Sequence, residues 1–198
     1  MIIPAILENS FSEINRQLAR YADCAKRVQI DVTNLKINGD EELEFWDVFD
    51  FEFDLLLKAD VGLVEKVKDL GASFIVFHLK HNKNIKELYE YAKQYDINVG
   101  ICGKVEEIKS NLEHCDYIQL MGIENVGHQG QPFRESVLED IKNIKAMTDK
   151  VIQIDGAMNE ETIRLVKDVG ASNFVVGSAL KNASDVIFTY RKLKSIVN

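Results

Sequence analysis

VQID at 28–31 and IQID at 152–155 close two apolar runs with almost the same four residues, so Asp31 and Asp155 each end a stretch that reads as a buried strand. Asp is poor in strand interiors and costly to bury unpaired, so two of them at corresponding points of two strands predict a pair converging on one site. A third, Asp54, ends the run FEFD at 51–54 and is followed at once by LLL.

Outward from these runs, short β-rich segments alternate with charged segments of helical period. The strands read IIPAIL at 2–7, RVQIDV at 27–32, FEFDLLL at 51–57, SFIVFH at 73–78, NVGIC at 98–102, YIQLM at 117–121, VIQID at 151–155 and FVVGS at 174–178. Between them lie amphipathic stretches: SFSEINRQLARYA, VGLVEKVKDLG, KNIKELYEYAKQY, RESVLEDIKNIKAM, NEETIRLVKDVG and the closing KNASDVIFTYRKLKSIV. Strands separated by helical crossovers imply parallel pairing, and near-continuous apolar strands imply two covered faces. Eight such units predict an α/β fold of the (β/α)8 TIM-barrel type. The segment TNLKINGDEELEFWDVFD at 33–50 has poor amphipathic order and predicts a loop or one to two turns.

An internal echo agrees with the barrel. VEKVKDLGASFIVFH at 64–78 resembles IRLVKDVGASNFVVG at 163–177, and the copies precede strands four and eight. The glycine in each is expected to end its helix. Convergent helix-to-strand junctions are the competing explanation of the echo.

The chain of 198 residues, 46% apolar, can bury one sizeable core and carries no linker-like stretch, so one domain over 1–198 is expected. A net charge of −8 argues against nucleic acid or an anionic membrane as partner, while a small anionic substrate stays open. MIIPAILENS lacks the pattern of a signal peptide, and no apolar run approaches the roughly 20 residues that span a bilayer, so a cytoplasmic protein is expected. Cys24, Cys102 and Cys115 are odd in number without close metal-ligand spacing and read as reduced structural thiols.

In a barrel the C-terminal strand ends and the loops after them form the active face. Gln29 and Asp31 share one face of their strand, and Asp54 lies opposite to Phe53 and Leu55. Strand period alone does not bring all three carboxylates into one pocket. Three late strand exits bear glycine: NVGHQGQPF at 125–133, DGAMNEE at 155–161 and VGSALKNAS at 176–184. Glycine lets a backbone approach a ligand closely, and N–H groups at helix starts point toward anions, so these loops together predict a phosphate site.

Over nearly its whole length the chain resembles the ribulose-phosphate 3-epimerase family, a TIM barrel of the ribulose-phosphate-binding type. IIPAIL resembles that family's PSIL start, VQIDV its HVDVMDG segment, and CDYIQLMGIENVGHQGQPFRESVLEDI its strand-six motif ending in NPGFGGQSF. IQIDGAMNEET resembles its VDGGI segment and VVGSAL its GSAIF segment, and from Asp54 to His78 the chain aligns without a gap. The resemblance implies an isomerase of carbohydrate metabolism that interconverts ketose phosphates, of the pentose phosphate kind, at C3. One Asp removes the proton and the other returns it on the opposite face. By position Asp31 and Asp155 fill those roles. Gly127, His128, Gln129, Gly130, Gly156, Ala157, Gly177 and Ser178 fall on the phosphate-binding positions, and Met121 lines the substrate.

The family holds a divalent metal with two histidines and the two aspartates, and Gln29 and Asp54 replace both histidines here. The serine of PSIL is Ala5, and two site methionines are Thr33 and Leu56. The set Gln29, Asp31, Asp54 and Asp155 leaves open a metal-binding site that favours Mg²⁺ or Mn²⁺ over Zn²⁺, or no cofactor at all. Without a cation, converging carboxylates would repel and one would hold a proton. The leading expectation is a sugar-phosphate epimerase. Its alternatives are a related sugar-phosphate enzyme with a changed substrate and a non-catalytic sugar-phosphate-binding homologue. His78, His81 and His128 fall near the active face, where a strand-end histidine is more often a hydrogen-bonded wall than a ligand. His114 falls on the far side, and Lys80 reads as a solvated rim residue. Self-association into a homo-oligomer stays open.

Overall fold

The computed structural model describes residues 1–33, 36, 37, 41–125 and 130–198. Eight strands, β1 (Ile2–Ile6), β2 (Arg27–Val32), β3 (Asp50–Leu55), β4 (Ala72–His78), β5 (Asn98–Cys102), β6 (Tyr117–Met121), β7 (Val151–Asp155) and β8 (Asn173–Val176), pair in parallel in chain order. β8 returns to β1 with Ile2 opposite Phe174 and Pro4 opposite Val176, closing the barrel. The architecture expected from the alternation of strands and helices is the one that forms.

The helices are α1 (Phe11–Tyr21), α2 (Val61–Asp69), α3 (Ile85–Lys93), α4 (Val105–Lys109), α5 (Val137–Lys145), α6 (Glu160–Asp168), α7 (Ser178–Lys181) and α8 (Val186–Val197). Several starts are fixed by side chains that satisfy free backbone N–H groups. Asp60 Oδ1 accepts from Leu63 N at 2.9 Å, Asn159 Oδ1 from Glu161 N at 2.9 Å, and Asp185 Oδ1 from Phe188 N at 2.8 Å. The echoed glycines do end their helices: Gly71 (φ +90°) follows α2 and Gly170 (φ +115°) follows α6, a backbone region that a Cβ disfavours. Asp185 delays the last helix, which starts five residues later than its amphipathic pattern suggests. α4 and a 3₁₀ turn at Leu112–His114 are too short to show a helical period, and the alternation misses them. Residues 44–48 form turns, in line with the weak order of 33–50.

Strand alternation sorts the side chains. Val28, Ile30 and Val32 of β2 and Phe51, Phe53 and Leu55 of β3 join the large apolar layer under the helices. Gln29, Asp31, Glu52 and Asp54 alternate with them and point to the barrel axis. The axis is lined by Ile3, Ala5 and Val175 on one side and by Val76, Cys102, Tyr117 and Met121 on another. Between these lie the fully buried Gln29, Glu52, Gln119 and Gln153. Near the barrel floor Arg27 pairs with Glu52 at 3.3 Å, and its guanidinium stacks 3.3 Å from the Phe74 ring centroid. Burial pushes the Glu52 carboxyl up to about 7, with Arg27 opposing. All three cysteines are free thiols. Among the described residues no helix is long and apolar enough to cross a membrane.

Gly100 is tightly packed, because a Cβ there would lie 2.5 Å from the buried Tyr117 ring, which packs edge-on against Phe74. Gly100→Ala is expected to destabilise the fold by about 1 to 3 kcal/mol in urea melts. A cost near zero would mean that the ring is free to move.

Candidate active site

β2 and β3 run in register with Asp31 opposite Asp54, and β6 and β7 with Met121 opposite Asp155. Parallel pairing therefore does what the strand period alone does not. Carboxylate oxygens of Asp31, Asp54 and Asp155 all lie within 4.8 Å of one another at the C-terminal mouth. Asp54 is wholly buried and Asp31 8% exposed.

Each of two carboxylates meets polar neighbours. Gln29 Nε2 donates to Asp31 Oδ1 at 3.0 Å. Asp54 takes Gln119 Nε2 on Oδ2 at 3.0 Å and sits 2.8 Å from His78 Nε2 on Oδ1. Burial, then the neighbouring Asp155 and Asp54 charges, holds Asp31 well above the usual carboxylate range. Burial and the Asp54 charge push Asp155 up to about 7. Burial lowers the His78 imidazole, but the Cys102 thiol and the Asp54 carboxylate outweigh it and hold the ring well above its ordinary value.

One cavity at the mouth is lined by Asp31, Asp155, Met121, Gly130, Gly156, Ala157, Gly177 and Ser178, with Ala5, Leu7, Leu56, Ile123 and Met158 as its apolar walls. The chain leaves β7 through two successive left-handed residues, Gly156 (φ +99°) and Ala157 (φ +58°). A Cβ at Gly156 would meet Ile123 at 2.7 Å, so only glycine keeps this turn against the cavity wall. Gly127, His128 and Gln129 lie outside the described residues. A second cavity shares Gly130, Ala157 and Ser178 with the first, and a third, lined by His78, Lys80 and Cys102, shares Met121 and Ile123.

The three aspartates form an all-oxygen donor set that fits a hard divalent cation, and their mutual repulsion is what such an ion would relieve. Gln29, expected among the ligands, presents its N–H to Asp31 while its carbonyl faces Gln153 at 3.3 Å. Its amide thus supports the cluster as a donor, and no oxygen of it faces the carboxylates. His78 hydrogen-bonds Asp54 and lines the third cavity, as expected of a hydrogen-bonded wall residue, whereas His81 is exposed. His114 precedes β6 on the opposite side of the barrel. Gln119 and Gln153 go unmarked in the sequence as site residues, although each stands two residues before Met121 and Asp155 on an inward-facing position.

The model of the ribulose-phosphate 3 epimerase family matches residues 1–181. The chain belongs to that family. It is 32% identical over 152 residues to the ribulose-phosphate 3-epimerase of Aquifex aeolicus (strain VF5), covering 72% of this chain and 68% of that protein. It is 27% identical over 203 residues to the ribulose-phosphate 3-epimerase of Bacillus subtilis (strain 168), covering 93% of each. The barrel also superposes on 3-hexulose-6-phosphate synthase from Salmonella typhimurium with a TM-score of 0.77, over 99% of this chain and 97% of that one. At 15% identity this second likeness is one of fold. In this member of the epimerase family the two sequence departures, Gln29 and Asp54, are neighbours of Asp31 in the buried cluster.

The cluster should oppose folding at neutral pH. The folded state favours protonated Asp155, so its stabilising contribution is complete below about pH 4 and is lost as pH rises through about 7. Asp155→Asn removes that loss. In a chelator, thermal melts should find the variant more stable than the wild type at pH 8, by about 1 to 3 kcal/mol, and the difference should shrink at pH 5. A variant less stable than the wild type at pH 8 would show that the carboxylates are not in conflict.

Proposed function

We propose that this protein is a cytoplasmic isomerase that epimerises a ketose phosphate at C3 within one barrel domain. The observation that carries the proposal is the lining of a single cavity by Asp31 and Asp155 together with the glycine-bearing exits at Gly130, Gly156 and Gly177. Membership of the epimerase family and the two relatives named ribulose-phosphate 3-epimerase support the substrate class.

Epimerisation needs a base on one face of the carbon and an acid on the other. In this reading one of Asp31 and Asp155 is ionised and takes the C3 proton, and the C–H electron pair moves toward the C2 carbonyl to give an enediolate. The other carboxyl enters protonated, delivers its proton to the opposite face of C3, and the electron pair returns. The pair then stands with its proton exchanged, ready for the reverse reaction. The raised positions of Asp31 and Asp155 suit this division, since one proton is readily kept within the cluster near neutral pH. Asp31, Asp54 and Asp155 would hold a divalent cation, Mg²⁺ or Mn²⁺ before Zn²⁺, and the ion would supply positive charge against the negative charge that develops in the reaction. The phosphate rests against backbone N–H groups around Gly130, Gly156, Ala157, Gly177 and Ser178. Met121 forms the apolar wall beside the sugar.

Asp31→Asn and Asp155→Asn should each lower exchange of the C3 proton with solvent by more than about a thousandfold, with ketose-phosphate binding largely kept. Activity lost to chelation should return with Mg²⁺ or Mn²⁺. A wild-type protein that binds ketose phosphates but exchanges no proton with either ion would leave the non-catalytic binder as the correct reading.

The phosphate contact has its own test. Gly177→Val should weaken binding of the phosphorylated sugar at least about tenfold and leave the unphosphorylated sugar's weak affinity unchanged, as calorimetry would report. Equal loss for both would count against a phosphate site there.

A further inference from the structure

Three strands carry the same short pattern, VQI at 28–30, IQL at 118–120 and IQI at 152–154. In each the aliphatic neighbours pack under the helices while the glutamine points to the barrel axis, and Gln29, Gln119 and Gln153 are all fully buried. A buried primary amide is tolerated only when its donors and its acceptor find partners, so three together are a constraint on one another.

The partners fix a direction. Gln153 Nε2 lies 3.3 Å from Gln29 Oε1, 2.9 Å from Gln119 Oε1 and within hydrogen-bond distance of Glu52 Oε1. Two N–H bonds are thus shared among three acceptors. Glu52 is held by Arg27 at 3.3 Å, and in its ionised form it accepts from Gln153 Nε2, which sets which end of the Gln153 amide faces the axis. Gln153 Oε1 faces Asn173 Nδ2 at 3.5 Å. Because Gln153 offers N–H groups, Gln29 and Gln119 must turn their carbonyls toward it. Their NH₂ groups then point the other way, to Asp31 Oδ1 and Asp54 Oδ2, each at 3.0 Å.

We infer that Gln153 is a positioning residue that locks the amides of Gln29 and Gln119 so that both donate to the carboxylate cluster. Polarity set at the barrel floor by Arg27 and Glu52 passes through one amide to two others and ends on the aspartates. Without Gln153 either amide can rotate by half a turn and present an oxygen to Asp31 or Asp54. The link to proton transfer rests on the proposed epimerase reading, but the lock itself does not.

The test is side-chain amide NMR on protein labelled with ¹⁵N and ¹³C. In the wild type, couplings across hydrogen bonds should join Gln153 Nε2 to the carboxyl carbon of Glu52 and, through the shared N–H groups, to the carbonyl carbons of Gln119 and Gln29, and the NH₂ groups of those two to the carboxyl carbons of Asp54 and Asp31. Gln29→Leu and Gln119→Leu assign the signals. In Gln153→Met, with the backbone spectrum kept, the couplings to Asp31 and Asp54 should vanish and NH₂ exchange should quicken at least about tenfold. On ketose phosphate, kcat should fall while KM stays near the wild-type value, a split that simple loss of packing does not give. Wild-type spectra without the Gln153 couplings, or Gln29 and Gln119 signals unchanged in Gln153→Met, would overturn the inference. Absence of proton exchange in the wild type would strike the epimerase reading alone, since the amide spectra judge the lock without substrate.

Discussion

Three carboxylates held within 4.8 Å of one another inside a barrel are the constraint on which the rest of this structure turns. At that spacing like charges in a water-poor interior repel strongly, and the repulsion can be met only by protons, hydrogen-bond donors or a cation. The protein supplies the first two itself. Asp31 and Asp155 are pushed toward their protonated forms, while Gln29, Gln119 and His78 stand against Asp31 and Asp54. A cluster in this condition takes up and releases a proton readily, which is the property that acid/base chemistry requires.

The barrel makes such a cluster affordable because strand alternation separates two environments that a simple layered core would mix. Every second residue of β2 and β3 enters the large apolar layer beneath the helices, where Phe51, Phe53, Val28 and Ile30 are essentially inaccessible to water. That layer carries the hydrophobic stabilisation. The axis is then free to hold Gln29, Glu52, Gln119 and Gln153 as a hydrogen-bonded tier below the aspartates, closed at the floor by the Arg27–Glu52 pair. Rigid strands hold the acidic groups, and the glycine-bearing exits of β7 and β8 line the mouth.

Much of this was readable in the chain. The runs VQID and IQID marked two aspartates of the cluster, FEFD the third, and the glycine exits the cavity wall, because strand ends and turn glycines leave local signatures. What was not legible depends on pairing between distant strands. The register that sets Asp31 opposite Asp54 is a property of two strands at once, and no single strand encodes it. The direction of the Gln29 amide is further removed, since it follows from Gln153, a residue 124 positions away. Short helices such as α4 escape because five residues do not complete two turns of apolar period.

The two departures from the family pattern look different once charge is counted across the cluster. A glutamine at 29 is as neutral as an unprotonated imidazole, whereas an aspartate at 54 brings a third carboxylate into the buried cluster and makes it harder to sustain. Asp54, however, is also the carboxylate that His78 meets at 2.8 Å, a contact that together with the Cys102 thiol holds the imidazole above its ordinary value. The added carboxylate therefore has a hydrogen-bonding partner of its own on the next strand. Gln29 completes the exchange as a neutral donor to Asp31. Asp31 and Asp155 are thus left, beside one neutral amide donor and one histidine-bonded carboxylate, as the groups that burial and neighbouring carboxylates hold above the usual carboxylate range.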